Sequence, residues 1–243
     1  MDREEKIKSN ELTYGDFLSL DKKLFPLLGE AELSGSHLRL LFVMTHSSLT
    51  KGNNYPKAYK TNEYKAFHYL IDHKDDAFGT DFILGLHRAL VSENGGTWKN
   101  KNTYFEKPNG GFYITTSAEK TPEVMERLCR DFSFLNSPKE AEFEEIFKFI
   151  LHFICIHPFL DGNGRISSFL LQFLLYKAGL SAALYLPLDT LIYGLNGPRT
   201  SLEIQRASGS FYGMRPLLFD RYIPYMKDIL HKGYLYLIEA LEQ

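Results

Sequence analysis

The stretch HPFLDGNGR, residues 157–165, decides how this 243-residue chain is interpreted. Within nine residues it places a histidine, a carboxylate, two glycines, an asparagine and an arginine, directly after a strongly apolar segment. Glycines permit positive φ angles and close approach by a ligand, and the N–H groups at the start of a helix favour an anion. The stretch therefore predicts a phosphate-binding turn between two helices.

The segment before this turn has the apolar repeat of an α-helix. Large apolar residues recur at helical steps from Phe143 to Ile154, which predicts a helix at about 140–156 that Pro158 ends. Residues 103–116, TYFEKPNGGFYITT, instead place aromatic and β-branched residues around Pro-Asn-Gly-Gly, which predicts a β-hairpin. The fold class is therefore mainly α, a helical bundle with one β-hairpin. Further helices are predicted near 36–49, 81–92, 122–135, 165–178 and 219–241.

The charge balance argues against a polyanionic partner. Lys and Arg number 28 against 30 Asp and Glu, so a net charge of −2 gives no general attraction to nucleic acid or to an anionic membrane. One cluster of basic and aromatic residues before and within the hairpin could serve a single nucleic-acid strand, but the near-zero net charge favours a solvated lip of the hairpin. We therefore expect no nucleic-acid partner. The cluster comprises Trp98, Lys99, Lys101, Tyr104 and Phe105.

The sequence also predicts a cytoplasmic protein without membrane contact. The start, MDREEKIKSNEL, has no apolar signal region, and the apolar run at 146–156 is interrupted by Lys148 and His152 and is too short to span a bilayer. Cys129 and Cys155 lie on the apolar stripes of predicted helices, which favours buried reduced thiols over a disulfide.

The turn combines three chemical functions. His157, at the end of the preceding helix, is expected to have a pKa near neutrality and can take a proton from an attacking hydroxyl. Asp161 suits Mg²⁺ bridging two phosphates, and Arg165 offers a forked cation to phosphate oxygens. Phe159 and Leu160 are expected to be core anchors that hold the loop.

These residues carry a family resemblance. HPFLDGNGR resembles the signature of Fic-domain proteins, His-Pro-Phe-x-Asp/Glu-Gly-Asn-Gly-Arg, at every specified position. With the hairpin upstream and a helix on each side, the resemblance covers roughly residues 80–190. It implies the Fic fold and transfer of AMP from Mg·ATP to a Ser, Thr or Tyr hydroxyl of a target protein.

The resemblance implies a role for each residue of the turn. His157 would be the general base, and Asp161 the Mg²⁺ ligand. Asn163 would turn its amide toward the α-phosphate under attack, and Arg165 would bind on the β-phosphate side. The hairpin at 103–116 resembles the family's flap, which would hold an extended target segment by strand pairing; the alternative is a purely structural edge.

The sequence departs from the family pattern at two linked positions. The family's second arginine falls at Ser168, and the glutamate of its inhibitory helix falls at Lys51, within residues 47–53. The glutamate brake is therefore expected to be absent. Lys51 is either a solvated residue at a helix end or a replacement cation for the γ-phosphate, and donors other than ATP stay open. The implied nucleotide-binding residues are Gly162, Asn163, Gly164, Arg165, Ser168 and Lys51.

The predicted organisation has two parts, an N-terminal helical extension at 1–62 with a degenerate inhibitory-helix-like segment, and a Fic domain core with C-terminal helices at 63–243. The nucleotide base pocket is expected within 184–199, where Tyr193 and Asn196 either contact the base or belong to a connecting loop. Four C-terminal aromatics, which either form a homodimer face or, as we expect, pack the last helix, are Phe211, Tyr212, Phe219 and Tyr222.

The predicted function is therefore that of a protein nucleotidyltransferase using ATP and Mg²⁺. One alternative is a Fic-fold nucleotide-binding regulatory module with little turnover. The other is a hydrolase that removes AMP from modified proteins, which is disfavoured because Lys51 cannot act as a base while charged.

Overall fold

The computed structural model describes residues 11–30, 62–106, 112–208 and 217–242. The predicted helix at 36–49 and Lys51 lie outside the described residues. The described α-helices and strands, in chain order, are α1 (Tyr14–Glu30), α2 (Asn62–Asp72), α3 (Thr80–Leu90), β1 (Tyr104–Glu106), β2 (Phe112–Ile114), α4 (Thr121–Asp131), α5 (Phe143–Ile156), α6 (Asn163–Lys177), α7 (Gly197–Ser208) and α8 (Tyr222–Leu241). Short 3₁₀ turns occupy Ser133–Asn136, Glu140–Glu142 and Ser181–Tyr185, and a π-helical turn occupies Thr190–Leu195.

Helices α5 and α6 form the centre of the molecule. Both are buried around most of their circumference, as their apolar sequences require, because a helix that is apolar on all sides has no face to offer to water. Phe149 of α5 packs edge-on against Phe78, and Phe173 of α6 stacks on Phe82 of α3 with 4.0 Å between ring centroids. This central pair holds the turn between α5 and α6 in a fixed position.

Helix α1 packs against the last helix, α8. The buried carboxylate of Asp21 accepts hydrogen bonds from the Tyr234 hydroxyl (2.7 Å) and from the Ala182 backbone N–H (2.9 Å). Phe17 and Leu24 are buried in the same hydrophobic core as α5 and α6. Residues 14–30 therefore share the core of the helices that follow.

The predicted hairpin is present. Strands β1 and β2 pair antiparallel, with Tyr104 opposite Ile114 and Glu106 opposite Phe112. At its root, the Thr115 N–H donates to the Thr103 carbonyl at 3.2 Å. The mainly α fold class with one hairpin is confirmed.

The predicted helices that fall within the described residues are present, with shifted ends. The helix expected at 140–156 divides into a 3₁₀ turn and α5. The Glu142 carboxylate accepts a hydrogen bond from the Lys139 N–H, and this contact favours the tighter 3₁₀ turn before α5 begins. Helix 122–135 likewise ends early, at Asp131, and continues as a 3₁₀ turn.

Cys129 and Cys155 are both buried and form no disulfide with each other, as predicted. Burial raises the pKa of both the Cys129 and the Cys155 thiol to about 12, which leaves them protonated and unreactive. In the part of the chain that is described, no helix is long and apolar enough to cross a bilayer.

Candidate active site

The turn begins with an unusual backbone conformation at His157. Helix α5 ends at Ile156, and His157 adopts the left-handed region at φ 53° and ψ 64°. Pro158 ends the helix as predicted, because a residue before proline is driven out of the α region. Non-glycine residues rarely adopt positive φ, so the surrounding structure has to hold this histidine in place.

Asn163 clamps the loop. Its Oδ1 accepts a hydrogen bond from the Phe159 N–H (3.0 Å), and its Nδ2 donates to the Phe159 carbonyl (2.8 Å). The side chain is buried and holds the turn closed. The expected orientation of this amide toward a phosphate is therefore not what the structure shows, because both ends of the amide are bound to the loop's own backbone.

His87 of α3 contacts the loop and helps to hold it in place, a role that was not predicted from the sequence. The Gly96 N–H donates to its Nδ1 (3.0 Å), which leaves Nε2 to donate to the Asp161 carbonyl (3.2 Å). Its ring stacks on Phe159 with 3.6 Å between centroids. Burial lowers the pKa of His87, so the neutral form that makes both hydrogen bonds is favoured.

Phe159 and Leu160, both expected to be core anchors, differ in their burial. Phe159 is fully buried between His87 and Trp98. Leu160 is 48% exposed, because the turn reverses direction there and points its side chain outward. The prediction for Leu160 is therefore wrong.

The N-terminus of α6 forms the floor of the site. Gly162 takes φ +83°, and a Cβ there would lie 3.3 Å from side-chain atoms of both Leu90 and Val91. The first intrahelical bond runs from the Ile166 N–H to the Gly162 carbonyl (2.8 Å), and the N–H groups of the first helical turn have no acceptor within their own helix. These donors and the helix dipole favour an anion, such as a phosphate, at this point.

A cavity of about 300 Å³ opens directly above this helix end. The structure brings together there almost all of the residues predicted for the site, together with Tyr193. Ser168, predicted to bind nucleotide, is instead buried and directs its hydroxyl at the Gly164 carbonyl of its own helix (3.4 Å). The cavity is lined by His157, Leu160, Asp161, Gly162, Asn163, Gly164, Arg165 and Tyr193.

His157 presents a neutral imidazole to this cavity. Burial lowers the pKa of His157 to about 4; the Lys99 cation acts in the same direction, and the Ile154 carbonyl and Asp161 oppose both. The expected pKa near neutrality is therefore not found. At physiological pH the ring is unprotonated and can accept a proton.

Lys99 and Trp98 do not form a solvated lip. Trp98 stacks against Phe159, and Lys99 is 3% exposed. The Lys99 ammonium donates to Thr115 Oγ1 (2.8 Å), to the Ile156 carbonyl (3.1 Å) and to Thr103 Oγ1 (3.3 Å). The sequence-based interpretation was wrong for both residues, because Trp98 packs on Phe159 of the turn and Lys99 is buried between the root of the hairpin and the end of α5.

Arg165 lies between two carboxylates. Its Nη1 donates to Glu63 Oε1 of α2 at 2.8 Å, and its Nη2 donates to Asp161 Oδ2 at 3.0 Å. Glu63 is only 13% exposed, whereas the Asp161 side chain is 73% exposed at the rim of the cavity. Glu63 is a second residue that sequence reasoning missed, and no local motif indicates it.

Tyr193 closes one side of the cavity; whether it contacts a nucleotide base stays a prediction. Its hydroxyl is within hydrogen-bond distance of Ser167 Oγ (2.9 Å), and a Cβ at position 164 would lie 3.4 Å from its ring. Burial raises the pKa of the Tyr193 hydroxyl to about 12. Asn196 instead binds the Leu191 carbonyl (2.8 Å) at the end of the π-helical turn.

The donor set fits a magnesium ion held mainly by its substrate. Asp161 offers an exposed carboxylate beside the anion-binding helix end. Among the described residues there is no cluster of three or more acidic, histidine or cysteine side chains. Magnesium bound to nucleotides takes one or two protein carboxylates and completes its shell with phosphates and water, so one aspartate suffices.

This chain is similar to known proteins both in sequence and in fold. The sequence model of the Fic/DOC family matches residues 77–175. A Fic family protein from Desulfovibrio desulfuricans G20 superposes with a TM-score of 0.63 at 16% identity, covering 93% of this chain and 75% of that chain. A Fic domain-containing signalling protein from Bacteroides thetaiotaomicron VPI-5482 superposes with a TM-score of 0.60 at 18% identity, covering 98% and 94% respectively. No curated protein matches the chain by sequence.

The chain is therefore similar to the Fic/DOC family in sequence over residues 77–175, and its helical core has the fold of solved Fic-domain proteins.

Proposed function

We propose that the protein is a nucleotidyltransferase that transfers AMP, or another nucleoside monophosphate, to a Ser, Thr or Tyr hydroxyl of a target protein. One observation carries the proposal: a single cavity of about 300 Å³ contains both a neutral imidazole and the N-terminus of α6. A base and an anion site at that proximity suit attack by a hydroxyl on a phosphate.

The proposed reaction is an in-line displacement at the α-phosphorus. The target hydroxyl oxygen forms a bond to that phosphorus, its proton passes to His157, and the bond to the bridging oxygen breaks to release pyrophosphate. The N–H groups at 163–165 bind the phosphate oxygens, and the Arg165 guanidinium neutralises charge on the leaving side. The Gly162 N–H donates to Asp161 Oδ1 at 2.7 Å. Asn163 contributes by keeping the turn closed.

Asp161 is the residue that would hold Mg²⁺, with the phosphates of the donor as its other ligands. The ion would supply charge neutralisation for the nucleotide. The rim position and high exposure of the Asp161 carboxylate make it accessible to a metal-bound nucleotide.

The hairpin is the proposed binding site for the target protein. Its root lies beside the end of α5, because Lys99 joins Thr103 and Thr115 to the Ile156 carbonyl. A target segment that pairs with an edge of the hairpin would thus lie close to His157. The partner is a protein with an extended hydroxyl-bearing segment.

Intact-mass spectrometry tests the proposal. The purified protein is incubated with Mg²⁺ and each of ATP, GTP, CTP and UTP, alone and with a labelled host lysate. His157→Ala and Asp161→Asn are compared with His73→Ala, which removes a partly exposed histidine that directly follows α2 and does not line the cavity. We expect a nucleotide adduct with the parent protein and with His73→Ala, and none with the other two.

The alternatives give different results. Nucleotide binding without an adduct from any of the four donors would contradict the transferase and favour a regulatory module. Loss of AMP from a previously modified protein would favour a hydrolase. An adduct that persists in His157→Ala would refute the assigned base.

A further inference from the structure

Lys99 brackets His157 from both sides. Its backbone N–H donates to the Pro158 carbonyl at 2.9 Å, and its side-chain ammonium donates to the Ile156 carbonyl at 3.1 Å. These two carbonyls belong to the residues immediately before and after His157. One residue thus fixes the backbone on each side of the histidine.

The same ammonium group holds the root of the hairpin. Its other two donors reach Thr115 Oγ1 at 2.8 Å and Thr103 Oγ1 at 3.3 Å, and the two threonine hydroxyls are 2.7 Å apart. An ammonium has three N–H donors, so these three acceptors satisfy it fully. Thr103 precedes β1 and Thr115 follows β2, which places Lys99 at the point where both strands leave the core.

A buried cation of this kind is not explained by packing. Lys99 is 3% exposed, and among the described residues no carboxylate pairs with it. Burial lowers the pKa of Lys99 to about 8, because removing the charged ammonium from water costs free energy. Methionine would fill the same space without that penalty.

The contacts made by Lys99 hold the backbone at His157 in an unfavourable conformation. A non-glycine residue at φ 53° is strained and persists only where its neighbours hold it. The two carbonyls flanking His157 are held by Lys99, and the end of α5 is held by the His157 N–H bond to the Phe153 carbonyl (3.0 Å). Without the ammonium, the Ile156 carbonyl loses a partner at the point where the chain turns.

We propose that Lys99 is a positioning residue of the transfer reaction, which fixes the left-handed backbone at His157 and couples the base to the root of the target-binding hairpin. This inference rests on the proposed function. Lys99 acts through His157 and the hairpin and does not touch the nucleotide cradle at 162–165. Its loss is therefore expected to slow turnover and to leave nucleotide binding intact.

The variant Lys99→Met tests this inference against Lys101→Met, which removes an exposed lysine from the same segment. We expect kcat for transfer to fall about tenfold or more while the dissociation constant for Mg-nucleotide, measured by calorimetry, stays within about twofold. Lys101→Met is expected to match the parent protein. Thr115→Val, which removes the nearest acceptor of the ammonium but keeps the shape, should give an intermediate loss of kcat and provides the test if Lys99→Met does not fold.

A second readout does not depend on activity. The imidazole of His157 is titrated by NMR in protein without nucleotide, where the charged groups around it are Lys99, Asp161 and Arg165. Removing the Lys99 cation should move the His157 titration to higher pH in Lys99→Met and leave it unchanged in Lys101→Met. A lysine whose ammonium does not act on His157 would lower the melting temperature without this shift.

The outcomes separate the inference from the proposed function. If the parent protein transfers no nucleotide, the proposed function fails, and the His157 titration alone decides whether Lys99 controls the histidine. Unchanged kcat together with an unchanged His157 titration in Lys99→Met would overturn the inference. Equal losses of nucleotide affinity and of kcat would also overturn it, because they would show collapse of the whole turn.

Discussion

Arg165 donates a hydrogen bond to Glu63 across 102 positions of sequence, with 2.8 Å between Nη1 and Oε1. The same guanidinium also binds Asp161, so both of its terminal nitrogens, Nη1 and Nη2, donate to carboxylates. A phosphate that binds Arg165 has to compete with these two acceptors. Glu63 is mostly buried, and its negative charge therefore acts on the cavity with little screening by solvent.

Glu63→Gln is therefore expected to tighten nucleotide binding. The amide retains an oxygen that accepts from Arg165 but removes one negative charge beside the phosphate site. We expect the dissociation constant for Mg·ATP to fall by roughly threefold to tenfold, as measured by calorimetry. The control is Glu126→Gln, an exposed site on α4. Weaker binding would show instead that Glu63 is required to orient Arg165.

The pH dependence of turnover follows from the burial of His157. The proposed base acts only when unprotonated, so activity is lost as the pH falls through the pKa of His157, which is about 4. On this basis kcat/KM for the nucleotide should be flat from about pH 5 to pH 8 as far as His157 is concerned. His73→Ala should leave the profile unchanged. An acid limb centred near the ordinary histidine pKa would contradict the role assigned to burial.

Much of the site could be predicted from the sequence because its residues are adjacent in the chain. Pro158 restricts the backbone and Gly162 permits the positive φ that the turn needs, so the turn and the helix start follow from nine residues. The apolar repeat before the turn predicts α5 for the same reason. The ends of the helices were predicted less accurately than the helices themselves, since the 3₁₀ turns at 133–136 and 140–142 depend on local hydrogen bonds.

The supporting residues could not be predicted because tertiary packing brings them to the site. His87 lies 74 positions before Asp161, and Lys99 lies 57 before Ile156. A histidine on an apolar helix face and a lysine near a hairpin have no spacing that indicates these contacts. The direction of the Asn163 amide also depends on the closed loop and not on the motif. Lys51, whose role stays a prediction, lies outside the described residues.

Gly162→Ala should destabilise the turn. The φ of +83° is unfavourable for alanine, and the added Cβ would lie 3.3 Å from both Leu90 and Val91. We expect the free energy of unfolding to fall by about 1–3 kcal/mol and nucleotide binding to weaken in parallel. Chemical denaturation and calorimetry provide the two measurements. Gly197→Ala is the matched control, since no atom lies within 4 Å of its added Cβ; equal effects at both sites would refute the argument.

Tyr193 offers the sharpest test of where the nucleotide lies. Its ring borders Gly164 and forms one wall of the cavity, whereas its hydroxyl binds Ser167, which also donates to the Gly164 carbonyl at 2.7 Å. Tyr193→Phe keeps the wall and should change the Mg·ATP dissociation constant by less than about twofold.

Tyr193→Ala removes that wall and is expected to weaken binding by about tenfold or more, because the nucleotide loses a packed surface. Calorimetry on both variants, with the half-exposed Tyr236→Ala as the control, measures the difference. Normal binding by folded Tyr193→Ala would mean that the base of the nucleotide lies away from the π-helical turn at 190–195. The assignment of that segment to the base pocket would then be withdrawn, while the phosphate site at the start of α6 would still stand on its own geometry.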